Sequence, residues 1–313
     1  LKVSLRTLRP FALRGTEPGP AADVSIAHPA ALLRRLFWRG DLGFAEGFIA
    51  GDWTSSNLAA LLELLAVNLD VYAQSDTRHP LTRATVRIQH WLNRNSRRGS
   101  RRNIAAHYDL GNDFYAQWLD PTMTYSAAIF DQGDPLDVAQ QRKYAQMLEL
   151  LDASPGQHIL EIGCGWGGFA EYAAKERGLR VTGLTISQEQ YKYAVDRIEK
   201  AGLSDMVTFK LQDYRDETGI YDGIASIEMF EAVGEKYWPV YFDTLRERLK
   251  PGRKATLQVI TVQDRRFETY RKGVDFIQKY IFPGGMLPSP SALRAEIGRA
   301  GLDLIGSQEF GLS

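Results

Sequence analysis

Eight consecutive residues concentrate the chemistry of this chain: Glu161-Ile162-Gly163-Cys164-Gly165-Trp166-Gly167-Gly168, set between a predicted strand and a predicted helix. Glycine at such a place makes a tight turn and lets the main chain approach a bound group that a Cβ would hold away. The third glycine of a dinucleotide fingerprint falls at Gly168 and is present, so spacing alone leaves a nicotinamide or flavin nucleotide open. Two features point elsewhere. Glu161, two residues ahead of Gly163, would face the same crevice. A carboxylate sits badly beside a pyrophosphate and well beside a cationic amino-acid group. The next strand ends in Thr185, followed by Ser187 and Gln190, neutral groups where a ribose-binding site would place an acid. S-adenosylmethionine carries an ammonium group and no phosphate, and suits this pattern. An ordinary helix start with a capping serine also accounts for Ser187 and Gln190, and Cys164 for a small residue in the turn.

Strands and helices must alternate around this turn to hold it. The pattern predicts a helix over 136–151, then strands over 158–163, 179–184, 206–211, 223–227 and 255–262. Helices are predicted near 167–178, 187–202 and 235–249, with Pro251-Gly252 turning the chain into the fifth strand. Right-handed crossovers make this a doubly wound, mostly parallel α/β sheet, Rossmann-like, with ligands at the carboxyl ends of its strands. Ahead of it, residues 1–75 read as a smaller α+β domain. There the Trp and Phe side chains of Phe37-Trp38 and of Phe48 to Trp53 are expected in the core.

Between the two, residues 76–106 form a basic connector. No Asp or Glu occurs from Thr77 to Tyr108, whereas arginines fall at 78, 83, 87, 94, 97, 98, 101 and 102. Such a segment is either a solvated linker or a patch for phosphates at a membrane surface. The whole chain of 313 residues carries 38 Lys and Arg against 38 Asp and Glu, so no general attraction to nucleic acid follows. One cysteine excludes an internal disulfide and suits a reducing cytoplasm. The five His are scattered without metal-ligand spacing, and no apolar run reaches the roughly 20 residues that span a bilayer.

Several segments together resemble the cyclopropane fatty acid synthase family, which includes the mycolic acid methyltransferases. They are Asn103 to Tyr115, Trp118 to Ser126, the glycine turn, Gly183 to Gln190, and Tyr280-Ile-Phe-Pro-Gly-Gly285. The resemblance implies a class I methyltransferase fold over 107–313 and a longer chain after Ser313. It implies S-adenosylmethionine contacts, with S-adenosylhomocysteine as product form, at Tyr125, Ser126, Gly163, Gly165, Trp166, Thr185, Gln190 and Tyr214. It also implies an acyl tunnel covered by 107–126 and 263–290, phospholipid acyl chains as partners, and a peripheral place on the inner leaflet of the membrane.

In that family the sulfonium methyl adds to an alkene, and a bound bicarbonate removes a proton from the cation so formed. The anion's holders map here onto Glu231, which is kept, and onto Gln258 and Ala127, where the family has His and Cys. Gln258 still donates through its amide but cannot be protonated. The bicarbonate site is thereby weakened, and Glu231, desolvated in a lipid tunnel, becomes a candidate base itself. Three functions stay open from the residues: methyl or methylene transfer to an unsaturated acyl chain, desaturation of an already methylated chain with a flavoprotein partner, and non-catalytic cofactor and lipid binding. A homodimer stays open as well.

Overall fold

The computed structural model describes residues 1–5, 8–15, 19–68, 95–96, 99–100 and 111–311. The chain divides into two compact units, one of Leu1–Leu92 with Gly273–Lys279, the other of Asn93–Lys272 with Tyr280–Ser313. Nearly all of the basic connector, all eight of its arginines included, lies outside the described residues.

The first unit holds strands β1 (Lys2–Leu5), β2 (Leu8–Ala12), β3 (Asp23–Ile26) and β4 (Trp53–Thr54), in the order β2-β1-β3-β4. Only the β1–β3 pair is parallel. Helix α1 (Pro29–Ile49) is bent at Gly40, whose φ of 55° and ψ of −131° break the helical run. Helix α2 (Leu58–Val67) is capped by Asn57, whose side chain accepts from the Ala60 N–H. Val24, Leu32, Trp53 and Leu61 form the core. Phe44 stacks on Trp53 at 4.2 Å, and the indole N–H donates to the Phe44 carbonyl at 2.7 Å. Phe37, Trp38 and Phe48, expected inside, are instead 61%, 41% and 37% exposed. The break at Gly40 splits α1 into two runs, so no single inward stripe serves its whole length; Leu32 and Gly47 face Trp53, and Phe48 still packs its ring against Trp53 at 5.0 Å.

The second unit is built on five parallel strands: β5 (His158–Ile162), β6 (Arg180–Thr185), β7 (Val207–Leu211), β8 (Tyr221–Ile227) and β9 (Leu249–Gln258). Their order, β7-β6-β5-β8-β9, means that the chain winds outward from β5 on one side and then returns to wind outward on the other. The short helix α3 (Asn112–Tyr115) and helix α4 (Leu136–Leu151) precede the sheet. Helices α5 (Gly168–Arg177), α6 (Gln188–Lys200) and α7 (Trp238–Arg248) connect its strands, and α8 (Asp264–Lys272) and α9 (Pro290–Arg299) follow it. Strand β5 is buried almost throughout, as a parallel strand covered on both faces must be. One core cluster, around Tyr144, Phe169 and Ile159, and a second, around Leu160, Phe230 and Tyr241, fill the two sides.

Pro251-Gly252 does not turn the chain into the last strand as expected. The strand begins at Leu249, pairs Leu249 with Tyr221 and then Lys254 with Gly223, and carries the dipeptide in the irregular stretch between. Gly252, with φ of 73°, provides the bulge, and the strand ends at Gln258, earlier than the expected 262.

Candidate active site

Where the strand order reverses, between β5 and β8, the connections at the carboxyl ends run in opposite directions and leave a crevice. A cleft of about 1160 Å³, its open mouth included, lies there. The ends of β5, β6, β7 and β8 line it through Gly163 to Trp166, Leu184 to Ile186, Gln212 to Arg215, and Ile227 to Met229.

The glycine turn forms the floor. Gly163 has φ of 83°, and a Cβ on it would come within 2.6 Å of the Met229 side chain. Gly165 has φ of 52° with open space where its Cβ would be, so the main chain itself is presented to the cleft. Beside the turn, Glu161 lines the cleft and is 3% exposed, and its Oε2 is buried with no hydrogen-bond partner. Burial pushes its carboxyl up to about 8, with the Lys143 ammonium pulling the other way. Lys143 itself is fully buried on α4 and is pushed down to about 7 by desolvation against the nearby carboxyls of Glu228, Asp120 and Glu161. A carboxyl in the cleft wall with one buried oxygen left unpaired is suited to an incoming cation.

The wall from β6 is a connected polar set. The Thr185 hydroxyl donates to Gln190 Oε1 at 2.9 Å and accepts from the Ser187 N–H at 3.1 Å. Ser187 caps α6, accepting from the Gln190 N–H, so the capping role holds for Ser187 while Thr185 and Gln190 face the cleft. From β7, Asp213 is held by Arg215 at 2.5 and 2.8 Å. The Tyr214 hydroxyl is buried in the lining with no hydrogen-bond partner. Orphaned polar atoms of this kind call for a partner that the bound group supplies.

The opposite wall is the strip 123–127. Helix α4 fixes it: Gln140 Nε2 donates to the Ser126 carbonyl at 2.8 Å, Lys143 Nζ donates to Ser126 Oγ at 2.6 Å, and Tyr144 shares a hydrogen bond with Thr124 Oγ1. Trp166 is buried against Tyr115, and its indole donates to Asn112 Oδ1 at 2.7 Å. Tyr125 stands in the lining with Phe282, their rings stacked with centroids 6.4 Å apart. All eight residues expected at the cofactor, Tyr125, Ser126, Gly163, Gly165, Trp166, Thr185, Gln190 and Tyr214, thus line one cleft.

The pair expected to carry catalysis is placed differently. Neither Glu231 nor Gln258 is in the lining of this cleft. Glu231 is half-buried, next to the lining residues Ala232 and Val233; Oε1 accepts the Ile260 N–H at 2.5 Å, Oε2 has no partner, and desolvation raises the carboxyl to about 8. Gln258 donates through Nε2 to Glu228 Oε1 at 2.7 Å and to the Ala127 carbonyl at 3.1 Å. Glu228, which does line the cleft, also accepts the Ala127 N–H at 2.9 Å. Sequence reasoning passed over Glu228, Gln212 and Asp213. Their signal was position: each falls within two residues of the end of a strand whose carboxyl end faces the crevice. Glu228 has φ of 47°, and Met123, also in the lining, has φ of 55°. A non-glycine residue held there costs on the order of 1–3 kcal/mol, and such strain gathers at functional sites.

Residues 95–313 match the family model described as mycolic acid cyclopropane synthetase. Over 281 residues the chain is 41% identical to the tuberculostearic acid methyltransferase of Mycobacterium tuberculosis, a match covering 87% of this chain and 65% of that protein. It is 37% identical to the cyclopropane-fatty-acyl-phospholipid synthase of Escherichia coli, covering 89% of this chain and 69% of that one. The chain therefore spans about two thirds of the length of these relatives. Among solved structures, the cyclopropane synthase MmaA2 of Mycobacterium tuberculosis superposes with a TM-score of 0.62 at 28% identity, over 67% of this chain and 77% of that one. A mycolic acid cyclopropane synthase solved with SAH and CTAB gives the same TM-score at 30% identity, over 66% and 76%.

Proposed function

This chain belongs to the mycolic acid cyclopropane synthetase family, and from that premise we propose that it transfers a methyl or methylene unit from S-adenosylmethionine to an unsaturated acyl chain of a membrane phospholipid. The observation that carries the reading is Glu161: a buried carboxyl with an orphaned oxygen, beside a main-chain cradle that two left-handed glycines open. S-adenosylmethionine supplies an electrophilic methyl group when bound, and its ammonium offers the donor that Glu161 Oε2 lacks.

The residues divide the work by their chemistry. Gly163 and Gly165 admit the ligand to main-chain distance, and Glu161 ionises against the ammonium. Thr185, Gln190 and the Tyr214 hydroxyl offer neutral hydrogen bonds to a sugar and base. The aromatic rings of Tyr125 and Trp166, both in the lining, offer stabilisation to positive charge. Ser126 is held still by Lys143 and Gln140, which keeps the strip 123–127 against the ligand.

Phospholipid as the acyl carrier is supported by the Escherichia coli relative, which is named for that substrate, and by the first unit. Leu33, Phe37, Ile49, Leu62 and Val67 stand 55–66% exposed there on α1 and α2, an apolar set suited to a bilayer interface. Among the described residues no helix is long and apolar enough to cross a membrane.

The substrate form is tested by offering the same monounsaturated chain as phospholipid vesicles, free acid and thioester, with methyl-labelled S-adenosylmethionine. Label is expected in the vesicle lipid first. Label confined to the free acid or thioester would refute the phospholipid reading. Loss of two hydrogens without label would replace transfer by desaturation.

A further inference from the structure

We propose that Glu228 is the proton acceptor of this site, a carboxylate built into the chain at the place where a free anion would otherwise be gripped. The inference rests on the transfer reading above. Its first support is geometric. Glu228 Oε1 accepts two hydrogen bonds, from the Ala127 N–H at 2.9 Å and from Gln258 Nε2 at 2.7 Å. Positions 127 and 258 are two of those that the family resemblance assigns to holding bicarbonate. Here both hold the side chain of Glu228.

The second support is the backbone. Glu228 takes φ of 47°, a conformation that favours glycine, directly after β8. Its N–H donates to the Gln258 carbonyl at 2.9 Å, so main chain and side chain of Glu228 are both tied to the same residue of β9. A carboxylate kept at a strained position and steered by two donors is there for its chemistry.

The third is access. Glu228 lines the cleft together with Tyr125 and Phe282, whereas Glu231 does not. Its charge acts on Tyr125, Lys143 and Glu231. The proton balance is simple. The acyl chain gains a methyl cation as sulfur keeps the electron pair of the broken bond. It must then lose one proton, and the C–H electron pair closes a ring or a double bond. That proton goes to Glu228 and leaves to solvent between turnovers. Gln258 touches the carboxylate and not the cleft, so it is a positioning residue.

Two variants test this. Glu228→Gly removes the carboxylate and suits the backbone; Glu228→Gln keeps the shape without the base. Both are expected to bind S-adenosylhomocysteine as the wild type does, by calorimetry, and to lose at least about a hundredfold in turnover. With S-adenosylhomocysteine bound, carbon-13 formate or bicarbonate should bind to Glu228→Gly and not to wild type, seen by NMR, and should restore turnover to the glycine variant alone. Wild-type turnover should not depend on bicarbonate. Full turnover in Glu228→Gln, or anion binding in wild type equal to that in Glu228→Gly, would overturn the proposal. Should wild type label no lipid at all, the transfer reading fails, and the anion-binding comparison still decides what Glu228 replaces.

Discussion

At the scale of single residues, two buried carboxyls with opposite surroundings yield separate expectations. Glu161 faces the cleft, and its proton is held to about 8 by burial. A bound ammonium favours the ionised form, so binding below that pH expels a proton. Affinity for S-adenosylhomocysteine should therefore rise as pH is raised toward 8 and level off beyond it. Calorimetry in buffers of different ionisation enthalpy reads the released proton directly, and a flat pH dependence would contradict the role. Glu161→Gln should weaken binding by about 1.5–3 kcal/mol, roughly ten- to hundredfold. Glu231 is outside the lining of the cleft. Its carboxyl is raised from 4.5 to about 8, so the protonated folded form contributes stability that is complete below 4.5 and lost as pH rises through 8. Glu231→Gln should melt several degrees above wild type beyond pH 8, at roughly 2–4 °C per kcal/mol, and level with it below 4.5. Equal melting temperatures at both ends would show that Glu231 ionises freely.

The glycine turn, Thr185, Gln190 and Tyr125 were legible in the sequence because they follow strands at fixed offsets or sit in motifs. Glu228 was not, because nothing in Ile227-Glu228-Met229 shows that its side chain is captured by Gln258 from a strand thirty positions on. A motif assigns Glu231 its role, and its place outside the cleft lining is a matter of packing that motif spacing does not carry.

At the scale of elements, α4 matters more than a flanking helix usually does. Its residues Gln140, Lys143 and Tyr144 lie on one face at helical spacing and hold the strip 123–127 through three separate atoms. Gln140→Leu removes the donor to the half-buried Ser126 carbonyl, a loss of about 0.5–1.5 kcal/mol. A lower melting temperature together with weaker S-adenosylhomocysteine binding is expected. Lower stability with unchanged binding would mean that α4 supports the fold but not the site. The period of this helix was plain in the sequence over 136–151, and its limits agree with the structure. The last strand was less legible. Pro251-Gly252 is a turn signal wherever it occurs, and only the pairing of Leu249 with Tyr221 shows that the dipeptide lies inside the strand as a bulge.

At the scale of the whole molecule, the doubly wound sheet was readable from alternating strand and helix patterns, since parallel strands need crossovers and crossovers need helices. The first unit was harder, because its strands are four or five residues or shorter and α1 carries aromatic residues on its exposed sides. Those exposed residues give the molecule an expected behaviour. Leu33→Asp combined with Phe37→Asp should lower partition onto phospholipid vesicles by tenfold or more, given about 1.5–3 kcal/mol for each buried side chain, and leave S-adenosylhomocysteine binding unchanged. Vesicle binding equal to wild type in a sedimentation assay would place the lipid surface elsewhere.

Transfer itself is read by incubating the protein with monounsaturated phospholipid vesicles and methyl-labelled S-adenosylmethionine, then determining the acyl-chain masses. One labelled carbon per modified chain, with one S-adenosylhomocysteine formed for each, is the expected result. S-adenosylhomocysteine held in the cleft while every acyl chain stays unlabelled would contradict it.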